Sequence, residues 1–217
     1  MLVLSEEQVR SLIDIEELIA ALEQAHIQYS TGKAVMPVRL VVPLPQIQGR
    51  ITSMPGYLTE DKALGMKVVT YFQNNPKQNL PAILATVLLF SAATGKIIAV
   101  MDGSYITAIR TAAASAAATD ALARPDACRL AILGTGEQAL AHARAIPKVR
   151  KLESMIVWGR TAERARDLAE RMEGELGLPT DAAASAQEAV AEADIVCTVT
   201  SASEPIRLRH HTAYCWP

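Results

Sequence analysis

Residues 129–139 read Arg-Leu-Ala-Ile-Leu-Gly-Thr-Gly-Glu-Gln-Ala, and their order decides the fold of the second half of the chain. The apolar run Leu130 to Leu133 is cut off by Gly134-x-Gly136-x-x-Ala139 and followed at once by a helical pattern. This is the strand, tight turn and helix start of a dinucleotide-binding βαβ unit. Gly134 permits the turn, Gly136 lets the backbone approach a pyrophosphate, and Ala139 is small enough for the helix to pack on the strand, so the first helical N–H groups face the phosphates. The bare motif also occurs in plain strand-to-helix turns. Its place between a predicted strand and a predicted helix is what points to a nucleotide.

The next apolar run, Ser154-Met155-Ile156-Val157-Trp158, leads into Gly159-Arg160-Thr161. A site selective for NAD carries an acid at this point for the ribose 2′-hydroxyl, and none stands here. Arg160 and Arg164 are four residues apart, so on a helix beginning near Thr161 they share a patch and can meet a 2′-phosphate. Such a pair is also ordinary on a solvated helix face. The expectation is a preference for NADP(H), with NAD(H) as the alternative.

Working outward, the segments 129–133, 154–158 and 194–199 read as strands. Helices are expected at 137–146 and 162–176, with a short one around 186–192, which together make half of a doubly wound sheet. Upstream, Ser5 with Gln8 forms a capping-box pattern, and Asp14 with Glu17 starts a second helix that keeps its spacing to Tyr29 and stops at Thr31-Gly32. Apolar or alternating runs at 38–42, 50–54, 63–72, 83–90 and 96–101 are separated by Pro43-Leu44-Pro45, Pro55-Gly56, Asn74-Asn75-Pro76 and Thr94-Gly95. They predict a meandering, mainly antiparallel sheet. The Ala-rich stretch 104–123 is helix-forming and ends before Pro125. The fold class is therefore α/β: an N-terminal α+β domain over 1–124, a partial Rossmann domain over 125–206, and an aperiodic tail over 207–217. Half a Rossmann sheet leaves an open edge on its last strand.

The composition excludes several classes. The 217 residues are 50% hydrophobic, enough for a core, and carry a formal net charge of −2 with interspersed signs. Without a basic stripe, nucleic acid is not an expected partner, and no run is long enough to span a membrane. Met1 to Gln8 lack the basic start and apolar stretch of a signal peptide, so the expected location is the cytoplasm. Cys128, Cys197 and Cys215 are too scattered for a zinc site and read as thiols, the first two buried. His210-His211 lacks further ligands nearby and reads as solvated tail, so no metal is expected.

Beyond these elements, a series of ordered motifs resembles the ornithine cyclodeaminase/mu-crystallin family. The longest is Met101-Asp102-Gly103-Ser104-Tyr105-Ile106-Thr107-Ala108-Ile109-Arg110-Thr111-Ala112-Ala113, followed by the glycine turn and Val157-Trp158-Gly159-Arg160-Thr161. Met36-Pro37-Val38-Arg39, Met54-Pro55-Gly56-Tyr57, Leu64-Gly65-Met66-Lys67-Val68-Val69-Thr70, Ala85-Thr86-Val87-Leu88-Leu89-Phe90 and Thr198-Val199-Thr200 also match. The resemblance covers about residues 2–206.

It implies a substrate and dimerisation domain followed by a nucleotide domain, a homodimer, and action on a small imino or amino acid. By motif, Arg39, Lys67 and Arg110 would clamp the substrate carboxylate, since converging cations need an anion between them. Cofactor contacts would fall to Arg110, to Gly134, Thr135, Gly136, Glu137 and Gln138 in the phosphate turn, to Gly159, Arg160, Thr161 and Arg164 at the adenosine end, and to Thr200. Asp102 reads as a turn acid at a helix start rather than a catalytic group.

The chain departs from the family pattern in two places. Ala82-Ile83-Leu84 stands where many members have polar residues, and Thr52-Ser53 stands where cyclodeaminases carry an acid. Full-length members continue for roughly another small domain, which holds their catalytic aspartate, so no general acid is named and the chain reads as truncated. The leading expectation is a ketimine reductase acting on cyclic imino acids. Ornithine cyclodeamination is the alternative within the family. A non-catalytic crystallin-like or hormone-binding protein, or an inactive truncated product, is the alternative outside enzymology.

Overall fold

The computed structural model describes residues 1–202 and 204–206; the expectations for the tail 207–217, including His210, His211 and Cys215, lie outside the described residues. The chain forms two compact units that part at Thr107/Ala108, inside a helix.

In the first unit the capping signals act as the residues dictate. Ser5 caps α1 (Glu6–Leu12): Gln8 N–H donates to Ser5 Oγ at 3.3 Å, while Ser5 N–H donates to Gln8 Oε1 at 2.9 Å. Asp14 Oδ1 accepts from the N–H groups of Glu16 and Glu17 and so starts α2 (Ile15–Ser30). Gly32, at φ +75°, turns the chain out of α2 in the left-handed conformation that only glycine adopts freely.

The sheet contains β1 (Leu2–Leu4), β2 (Ala34–Val35), β3 (Leu40–Leu44), β4 (Gly49–Leu58), β5 (Ala63–Phe72), β6 (Ile83–Ser91) and β7 (Ile97–Asp102). The order is β1-β7-β6-β5-β4-β2, with β3 also on β4, and only the β1–β7 pair is parallel. The antiparallel meander is as expected. The short strands β1 and β2 are unforeseen, because two or three residues carry no readable period.

Two expected breaks are corrected by the structure. Pro55-Gly56 does not separate strands, since β4 runs through it, and Pro43 lies within β3. Phe72 N–H donates to Ala82 O, so even-numbered β5 residues turn their backbone polar groups toward β6 and odd-numbered ones toward β4. Pro55 pairs with Met66 and therefore turns its nitrogen away from β5, toward an edge where β3 pairs only as far as Ser53 and β2 only from Tyr57. Pro43 faces the open outer edge of β3 by the same alternation. Neither missing N–H removes a ladder bond, which is how proline survives in a strand.

Directly opposite residues share a face. One face of the sheet carries Thr52 and Met54 of β4, Lys67 and Val69 of β5, Ala85 and Val87 of β6, and Met101 of β7. The other exposes Val3 (69%), Leu40 (64%), Val42 (43%), Leu84 (41%) and Ile51 (37%).

The helix α3 (Ser104–Leu122) runs across the division between the units, and its alanines 112, 113 and 116 are fully buried. The rest of the second unit alternates strand and helix: β8 (Arg129–Leu133), α4 (Glu137–Ala145), β9 (Ser154–Trp158), α5 (Ala162–Leu176), β10 (Thr180–Ala182), α6 (Ala186–Ala191) and β11 (Ile195–Thr198). All pairs are parallel in the order β10-β9-β8-β11, the first half of a doubly wound sheet. Leu130, Ile132 and Leu133 of β8 are fully buried, and α6 covers the face built from Ala131, Leu133 and Val196. Asp194 ties the entry of β8 to the entry of β11: Cys128 N–H and Arg129 N–H both donate to its Oδ2 at 3.0 Å, and Arg124 donates to Oδ1 at 2.6 Å. Among the described residues no helix is long and apolar enough to cross a membrane.

Candidate functional site

In the second unit the glycine turn has the geometry its residues imply. Gly134 has φ +140°, donates its N–H to Trp158 O at 2.8 Å, and lies so close to the next strand end that a Cβ would stand 2.6 Å from Val199 O. No other residue fits there. Gly136 is the N-cap of α4 and has no side-chain cap, and a Cβ added to it would meet nothing within 4 Å. The first turn of α4 therefore points its N–H groups, with the positive end of the helix dipole, into open space. Ala139, fully buried, seats the helix. These are the features a pyrophosphate requires.

The neighbouring residues gather at the same end of the parallel sheet. Thr135 lies over Gly159 at the end of β9, while Glu137 and Gln138 form the first turn of α4. Gln138 keeps its Oε1 buried without a partner. Val199 N–H donates to Leu133 O, which brings Thr200 past the end of β11 to the same edge as the glycine turn. Thr161 is the N-cap of α5 and makes no side-chain cap bond. Arg160 and Arg164 flank it, both exposed, and neither has an ion pair or hydrogen bond among the described residues. Arg10, Arg124, Arg129, Arg144, Arg150 and Arg166 of the same chain pair with carboxylates, while Arg39, Arg50 and Arg171, like Arg160 and Arg164, make no ion pair among the described residues. An uncapped helix start beside two uncommitted guanidinium groups fits a phosphate.

The structure brings two of the three clamp residues together in the first unit. Lys67 lies in mid-strand on β5, opposite Met54 of β4 and Val87 of β6, and is half-buried. Arg39 stands one residue before β3, whose Leu40 pairs with Ser53. Arg39 and Lys67 thus lie on either side of β4 near Met54. Arg110 is an exposed residue of α3 and belongs to the second unit. Asp102 accepts from Ser104 N–H at 2.8 Å and from Ser104 Oγ at 3.4 Å, which is the turn-and-cap role expected of it.

One buried pair on the inner side of α4 escapes a reading of the sequence. His142 of α4 places Nδ1 2.7 Å from Gln138 O and Nε2 3.0 Å from Ser115 Oγ of α3. A carbonyl only accepts, so the ring proton sits on Nδ1 and Nε2 accepts from the serine hydroxyl. Burial lowers the His142 pKa, against the opposing effect of its bond to the Gln138 carbonyl, and keeps the ring neutral. The helix expected over 137–146 includes His142, but nothing local shows that Ser115 meets it. Cys197 is buried as expected, but Cys128 is only half-buried, and burial together with the nearby Glu153 and Asp194 carboxylates pushes its thiol pKa up. Among the described residues no three His, Cys, Asp or Glu side chains form a metal-binding group.

Comparison with known proteins gives the family of the chain. The sequence model of the ornithine cyclodeaminase/mu-crystallin family matches residues 1–210. The Δ1-pyrroline-2-carboxylate reductase of Bacillus cereus is 39% identical over 206 residues, covering 95% of this chain and 63% of that protein. The ketimine reductase mu-crystallin of Mus musculus is 39% identical over 207 residues, covering 94% of this chain and 65% of its own length. The structure of Thermococcus litoralis Δ1-pyrroline-2-carboxylate reductase in complex with NADH and L-proline superposes with a TM-score of 0.91 at 38% identity, over 95% of this chain and 64% of that one. The chain spans just under two thirds of the length of each of these relatives.

Proposed function

The chain belongs to the ornithine cyclodeaminase/mu-crystallin family, and from that premise we propose that it serves the NADPH-dependent reduction of a cyclic imino acid. The observation that carries the cofactor half is the pair Arg160 and Arg164 beside the uncapped start of α5, with no acid at the end of β9. Gly134, Thr135, Gly136, Glu137 and Gln138 hold the pyrophosphate, Gly159 leaves room for the adenosine, and Arg160, Thr161 and Arg164 hold the 2′-phosphate, with Thr200 and Arg110 completing the contacts. NADPH supplies the hydride for the C=N carbon.

On the substrate side, Arg39, Lys67 and Arg110 bind and orient the carboxylate. Charge-assisted bonds to a carboxylate fix the substrate in one pose, and positioning of this kind is a large part of what an enzyme contributes to hydride transfer. The reading is supported by relatives named as reductases of this substrate type and by an acid-free stretch around the clamp: residues 62–101 contain no Asp or Glu. A substrate with a second ammonium group finds no partner there, which favours an imine over a diamino acid.

The domain roles follow, with residues 1–124 for substrate and dimerisation and 125–206 for the cofactor. The exposed apolar sheet face around Leu40, Val42, Ile51 and Leu84 is the surface on which we place a homodimer.

The test is NADPH oxidation followed optically with Δ1-pyrroline-2-carboxylate and its six-membered homologue, beside ammonia release from ornithine with NAD⁺. Oxidation of NADPH by the imines without ammonia release is the expected result. Ammonia release alone identifies a cyclodeaminase. Tight NADPH binding with neither reaction identifies a binding protein.

A further inference from the structure

The buried face of α3 is built mostly from alanines, among them Ala108, Ala112, Ala113, Ala116 and Ala117. Side chains this small make shallow ridges, so packing alone resists the sliding of such a helix only weakly. Two polar contacts supply what the alanines lack. The buried hydroxyl of Ser115 donates to His142 Nε2 of α4 at 3.0 Å. At the C-terminal end of α3 the Arg150 guanidinium bonds the Asp120 carboxylate and the carbonyls of Thr119, Asp120 and Ala123, acceptors that the last turn of a helix leaves open.

Together these contacts fix direction as well as place. Arg150 follows α4 by one short turn (Ile146–Lys148), so the chain from Ser115 to Ala123 and the chain from His142 to Arg150 run the same way, side by side. Both helices therefore start toward the same end. Arg110 is five residues before Ser115, and Glu137, the first residue of α4, is five residues before His142. At a rise of about 1.5 Å per residue, each lies about 7.5 Å along its helix from the Ser115–His142 bond, which sets Arg110 level with the uncapped start of α4. Five residues also turn Arg110 about 140° from Ser115, onto the exposed side of α3 and outside the packed contact.

A buried hydrogen-bonded pair adds little net stability over apolar side chains of the same shape, but its bond has a set length and direction that an apolar contact lacks. We propose that Ser115 and His142 are positioning residues for cofactor binding: their hydrogen bond fixes the register of α3 along α4 and so holds Arg110 beside the phosphate turn. The proposal rests on the reading of Arg110 as a cofactor contact given under Proposed function.

NADPH is titrated into the full chain, followed by tryptophan fluorescence, for the parent, Ser115→Ala, Arg110→Met and the double variant. Ser115→Ala is expected to raise the Kd for NADPH about tenfold, and to change it less than about twofold in the Arg110→Met background, where no guanidinium is left to place. A residue that only supports the fold weakens binding by the same factor in both backgrounds, so additivity overturns the proposal. A Ser115→Ala protein that binds NADPH like the parent, while Arg110→Met does not, overturns it too and leaves the role of Arg110 standing. His142→Leu breaks the same bond from the other helix and is expected to show the same loss and the same dependence on Arg110; it carries the test if Ser115→Ala does not fold. If Arg110→Met binds NADPH like the parent, the reading of Arg110 falls and the positioning role falls with it.

Discussion

Gly159 lies so close to Thr135 that a Cβ on Gly159 would stand 2.5 Å from Thr135 Cγ2. The contact joins the end of β9 to the glycine turn after β8, the two segments between which a dinucleotide would lie. Gly159→Ala is expected to force these segments apart, weakening NADPH binding at least tenfold and destabilising the fold by about 1–3 kcal/mol, the usual cost of overpacking. Thr135→Ser removes the clashing methyl, so the double variant Gly159→Ala/Thr135→Ser should recover much of the lost thermal stability. Equal melting temperatures for the single and double variants would show that the strain lies elsewhere.

Arg160→Ala should weaken NADPH by the worth of a charge-assisted hydrogen bond, about 1.5–3 kcal/mol, and leave NADH nearly unchanged. Trp158 immediately precedes Gly159-Arg160 and provides an intrinsic fluorescence signal for both titrations. Arg164→Ala should act in the same direction. A parent protein with equal affinity for the two cofactors would remove the basis for an NADPH preference.

Lys67→Met and Arg110→Met should differ in kind. In an assay of imine reduction, Lys67→Met raises KM for the imino acid at least tenfold while cofactor affinity holds, since it removes only a carboxylate partner at roughly 1.5–3 kcal/mol. Arg110→Met should impair both ligands. Comparable loss of NADPH binding in the two variants would contradict the separate roles.

The neutral His142 makes stability depend on pH in a predictable direction. Its folded pKa is depressed below the ordinary value of 6.5, so below that pH the unfolded chain takes up a proton the folded chain refuses. Stability falls as pH drops from about 7.5 to 5.5 and is fully present above this window. The window lies above the range in which Glu175 and Asp194, whose carboxyl pKa values are held below the usual range, begin to protonate. His142→Gln should be less stable at pH 7.5 yet lose less of its melting temperature between pH 7.5 and 5.5. A parent with a flat profile across this window would exclude the buried neutral imidazole.

Wherever a local signal carries its own physics, the sequence by itself determined the structure. The caps at Ser5 and Asp14, the turn at Gly134, the buried Ala139, the strand 129–133 and the helix 162–176 all depend on neighbours within four residues, and all stand where the residues put them. The glycine turn and the missing acid at the end of β9 belong to the same class, so the backbone geometry at that end of the parallel sheet was legible. What only the tertiary structure decided were relations between distant residues. The prolines at 43 and 55 looked like strand breaks because a lone strand gives no clue to which edge its nitrogen faces; the register with β5 and the gap between β2 and β3 supply that. The contact between Ser115 and His142 and the closeness of Gly159 to Thr135 likewise arise from packing and strand register. Side-chain period says which face a residue occupies, but only the completed sheet fixes which residues from other strands share that face.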